Sequence, residues 1–113
     1  MRVDERKTTR TCSSGYVQMK ILVAKVVLVI PYSTSLKDKR RVLRGIKDRI
    51  WSKFRASVSE VEEQNSINKA VLGVVYVSNE KRLLDSVMNK IIDLLEATHP
   101  GLLHHFEYMV EQY

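Results

Sequence analysis

Two runs of β-branched and apolar residues, 21–30 and 70–77, each followed by a segment of helical period, constrain the fold of this chain more than any other feature. Such runs read as strands inside a sheet. Pro31 closes the first, because proline cannot continue a hydrogen-bonded ladder. Ile21, Val23, Val27 and Val29 oppose Leu22, Ala24, Val26, Leu28 and Ile30, so this strand is expected to be buried on both faces.

After the first run, Ser35 opens a helix with Asp38 as its capping-box partner, and Leu36, Leu43, Ile46, Ile50 and Phe54 share one stripe. Residues 56–63 alternate, and a polar turn at Gln64, Asn65 and Ser66 joins them to the second apolar run as a hairpin. A second helix starts near Asn79, with Leu84, Val87, Met88, Ile91 and Leu95 inward, and ends before Pro100 and Gly101. Residues 102–113 alternate well enough for a last strand. The order β-α-β-β-α-β specifies an α+β, ferredoxin-like sandwich, a four-stranded antiparallel sheet with two helices on one face.

With 113 residues, 44% of them hydrophobic, the chain supports one core. A single domain is expected over residues 19–113, preceded by a flexible extension over residues 1–18, which are charged and small polar. The second sheet face is apolar with nothing to cover it. A homo-oligomer, a dimer in the simplest case, is therefore expected through that open face, the alternative being that the extension folds over it.

Charge is distributed unevenly. Residues 33–55 hold nine Lys and Arg against two acids, a regional charge of +7 where the whole chain carries +6. Residues 1–32 contribute +4 and residues 56–113 contribute −5. On a helical wheel Lys37, Arg40, Arg41, Arg44, Lys47 and Trp51 fall within roughly 120° of one another. Asp48 shares that sector and is placed to orient Arg44. Cations beside an indole suit a nucleic-acid backbone with an unpaired base. Lys37, Lys39, Arg40 and Arg41 also stand at the helix start, against the macrodipole, where amides and side chains could converge on a phosphate. The competing reading is a solvated face chosen for helix propensity.

Other functions find little support. Cys12 is the single cysteine, so no intramolecular disulfide can form, and a cytoplasmic setting is expected. The longest apolar stretch, residues 21–32, is interrupted by Lys25 and falls short of the roughly 20 residues a membrane span needs. His104 and His105 are adjacent in a strand and point to opposite faces, which disfavours one shared metal. His99 reads as the cap of the second helix's C-terminus, where a cation is favourable, and Glu60, Glu62 and Glu63 read as a solvated edge that blocks sheet-to-sheet aggregation, the alternative being that they pair with basic residues of a partner. No catalytic set and no cofactor motif assembles, so a non-enzymatic role is expected.

The segment Ser35-Leu-Lys-Asp-Lys-Arg-Arg41 after a Pro31-ended strand, then residues 54–61, then Ala70-Val-Leu-Gly73, resembles the YlxP-like family, small bacterial proteins of unknown function. The resemblance covers about residues 19–110. It implies a ferredoxin-like fold. Genes of the family often lie beside those for translation initiation factor two and ribosome-binding factor A, which implies work on RNA or the ribosome. Ile67 departs from the pattern, since many relatives carry tryptophan there. Acylphosphatases share the fold but need a glycine-rich loop ending in arginine, and residues 31–35 offer neither. RNA-recognition motifs stack bases on inner-strand aromatics; here only Tyr76 is available, which leaves the helix side for RNA.

Overall fold

The computed structural model describes residues 19–113, so the expected extension and Cys12 lie outside the described residues. The elements run β1 (Lys20–Val29), α1 (Leu36–Phe54), β2 (Ser57–Glu62), β3 (Lys69–Ser78), α2 (Lys81–Thr98) and β4 (Leu103–Gln112). All strand pairs are antiparallel in the order β2-β3-β1-β4, which places the two apolar runs in the middle. This is the ferredoxin-like α+β sandwich. β1 and β3 pair without interruption from Lys20 opposite Ser78 to Val29 opposite Lys69. The β2 ladder shifts register between Glu60 and Glu62, leaving Val61 as the extra residue of a bulge.

Leu22, Ala24, Val26 and Leu28 of β1 and Ala70, Leu72 and Val74 of β3 form the floor of the core. Leu43, Ile46 and Ile50 of α1 and Leu84, Met88, Ile91 and Leu95 of α2 form its roof. The expectation that β1 is buried on both faces is therefore corrected for the single chain. Both helices occupy one face, and on the other Val23, Val75, Val77 and Met109 stand exposed.

Ser35 is the N-cap of α1, with extended backbone and a side chain that accepts from Asp38 N at 3.1 Å. The carboxylate of Asp38 reaches one residue further back than a capping box, accepting from Thr34 N at 3.3 Å and Thr34 Oγ1 at 2.9 Å. Those bonds hold the Asp38 carboxyl below the usual carboxylate range. Replacing Ser35 with alanine is expected to cost about 1 kcal/mol in urea unfolding followed by circular dichroism. An unchanged midpoint would show that Asp38 and Thr34 suffice to start the helix.

At the far end of α2, His99 donates its backbone N–H to Leu95 O, and Gly101 turns the chain with φ +84°. His99 is thus the C-cap residue that the sequence reading made it. Partial burial, with the Arg49 charge as a smaller cause, pushes its pKa down and favours the neutral ring, whose Nδ1 lies 2.9 Å from Thr98 Oγ1.

Candidate nucleic-acid interface

The cationic ridge lies on the outer side of α1, opposite its buried stripe. Lys37, Arg40, Arg41, Arg44 and Trp51 are exposed and Lys47 is half-buried. At about 1.5 Å rise per residue, Lys37 to Trp51 spans roughly 21 Å. Arg41 has one long ion pair, Nη1 to Asp38 Oδ1 at 3.9 Å. Among the described residues Lys37, Arg40, Arg44 and Lys47 form none, and Asp48 stays exposed without pairing to Arg44.

Lys39 does not belong to this surface, contrary to the sequence reading. Its side chain is 0% exposed and points across the sandwich into the β2–β3 hairpin. There Nζ donates to Glu63 O at 2.8 Å and Lys69 O at 3.2 Å, with Gln64 O at 3.5 Å, and lies 2.8 Å from Glu60 Oε2. The carbonyls take its donors, so its attraction to Glu60 is mainly electrostatic, and no well-aligned donor faces that oxygen. The physical reason is phase: Lys39 stands four residues before Leu43, on the apolar stripe. That spacing was the signal in the sequence. Glu60 and Glu62 are likewise partnered, the first with Lys39 and the second with Lys25 at 3.2 Å, so they are not simply a solvated edge.

The helix start is also less open to an anion than its composition implies. Ser35 satisfies Asp38 N, Asp38 brings a negative charge into the first turn, and Lys39 points away. The accessible charge runs along the outer side of the helix from Lys37 to Lys47 rather than converging on its first amides.

Trp51 is 53% exposed on the last turn. Arg55, the left-handed C-cap with φ 62°, sets its guanidinium 5.4 Å from the indole centroid. Arg55 thus joins the ridge, an addition the sequence signalled only through its spacing of four from Trp51.

The opposite, open face of the sheet holds a shallow depression of about 420 Å³ bounded by Val23, Lys25, Val61, Gly73 and Met109. No helix among the described residues is long and apolar enough to cross a membrane.

A ferredoxin-like domain with a basic first helix is the class these features define. Residues 21–108 match the family described as Protein of unknown function (DUF503), and the chain belongs to that family. It is 27% identical over 74 residues to Uncharacterized protein YlxP of Bacillus subtilis (strain 168), covering 66% of this chain and 80% of the relative. The YlxP-like resemblance read from the motifs around α1 holds. Among solved structures, 30S ribosomal protein S6 of Thermotoga maritima is similar with a TM-score of 0.48 at 8% identity, over 82% of this chain and 88% of that one. The de novo designed protein Foldit4 is similar with a TM-score of 0.48 at 9% identity, over 84% and 96%.

Proposed function

We propose that this protein binds RNA, free or within a ribosome-associated assembly, through the outer face of α1. The observation that carries the reading is a contrast between the two helices. On α2, Lys81, Arg82 and Lys90 are matched in number by Asp85, Asp93 and Glu96, and Lys81 pairs with Asp85 one turn on at 2.9 Å. On α1, four cations run along one line with no acidic partner among the described residues, and an exposed indole sits at the end of that line. Unneutralised cations in a row gain most from displacing the counterions of a polyphosphate. The reading needs no catalytic step.

The test is retention of RNA from a bacterial lysate by the intact chain, at low and moderate salt, with and without ribonuclease. The wild type is expected to retain RNA that salt or ribonuclease removes, and the variant with Arg40, Arg41 and Arg44 all changed to Gln is expected to retain much less. Absence of RNA on the wild type at low salt defeats the reading. The exposed valines of the open sheet face, tested by sedimentation for self-association, then become the surface of interest.

A further inference from the structure

Resting on that reading, we infer that the RNA is taken as a single strand, with one unpaired base stacked on the free face of Trp51 opposite Arg55. The indole is the largest side chain on the ridge, and it is absent from the core cluster although the core lies one helix face away. Its two ring faces differ. One is covered by the Arg55 guanidinium at 5.4 Å, and more than half of the residue is open to solvent. Arg55 reaches that position because it ends the helix in a left-handed conformation, φ 62°, with its N–H bonded to Trp51 O at 2.9 Å. Glycine is the ordinary residue for such a cap. Arginine here gives the half-exposed indole a cationic backing in line with the cations.

A base from a paired helix cannot use that surface, because its faces are already stacked on its neighbours. A base in a single strand can, and a strand that lays its phosphates along Arg40, Arg44 and Lys47 brings its bases to the level of Trp51. Stacking on an indole tolerates any base, so selection is for strandedness rather than sequence. The roughly 21 Å ridge suits about four nucleotides, the lower end of known single-strand site sizes.

Trp51 is the only tryptophan in the chain, so intrinsic fluorescence reports on this residue alone. The probes are a 12-nucleotide oligouridylate and a 12-base-pair RNA duplex, titrated into the full chain at low salt. The single strand is expected to quench Trp51 emission and to bind about tenfold or more tightly than the duplex. Trp51→Leu is expected to erase most of that preference, and Trp51→Phe to restore part of it. Equal binding of both probes with unaltered emission overturns the inference and leaves the ridge reading standing. Binding of neither probe, together with no RNA retained from lysate, removes the ridge reading and the inference with it. Because the quenching is read on the wild type, the result does not depend on the variants folding.

Discussion

Changing Lys39 to methionine is expected to lower the free energy of unfolding by about 3 to 5 kcal/mol, the range for breaking a buried ion pair from one side. The side chain is fully buried, and Glu60 is 16% exposed, so solvent does little to screen the charge left behind. Removal of the ammonium also leaves the carbonyls of Glu63 and Lys69 without their side-chain donor. Guanidinium unfolding followed by circular dichroism measures the loss. A second change, Glu60→Leu, made on top of Lys39→Met, is expected to recover a large share of it, because a well-packed apolar pair can replace a buried ionic one. If the single variant loses less than about 1 kcal/mol, Lys39 is not the tie between α1 and the hairpin that its contacts describe.

The variant with Arg40, Arg41 and Arg44 changed to Gln tests the RNA binding proposed for the same helix. Each cation that neutralises a phosphate of a single strand adds about 0.7 to the slope of log affinity against log salt, so three lost contacts should flatten that slope by about 2. All three side chains are exposed, and the free energy of unfolding is expected to stay within about 0.5 kcal/mol of wild type. Arg82→Gln and Lys90→Gln on α2 serve as a control, since both are exposed cations away from the ridge and should leave the slope unchanged. A triple variant with the wild-type slope places the phosphates elsewhere. Lys39 and Arg40, neighbours in the chain, thus separate into one residue read by stability and one read by salt.

The fold was legible because its signals are periodic. The apolar runs became β1 and β3, and the stripes of Leu43, Ile46 and Ile50 and of Leu84, Met88 and Ile91 became the buried faces of the helices. Strand ends at Pro31 and the turn after α2 followed from proline and glycine. The ridge was legible for the same reason: Arg40, Arg44 and Trp51 share one angular sector and are exposed together. Lys39 was overlooked as a core residue although it shares the phase of Leu43, since its partners lie 21 to 30 residues away and a lysine is counted as polar. Its carbonyl partners carry no side-chain signature at all. Arg55 escaped notice because it lies just past the end of α1, where a spacing of four from Trp51 is easily discounted and the left-handed cap places its guanidinium. His99 was legible as the cap of α2 because it precedes Pro100, whereas the partial burial that lowers its pKa comes from tertiary packing.

The two edges of the sheet are unequal. β2, the outer strand on one side, is six residues long, bulged at Val61 and lined with Ser57, Ser59, Glu60 and Glu62, all features that discourage a further strand. β4, the outer strand on the other side, offers ten extended residues. A sheet that can accept a strand on one side only has no second end from which to grow. Were two copies to join along β4, both receptive edges would be consumed in one step, and the product would be a closed eight-stranded pair rather than the start of a fibre.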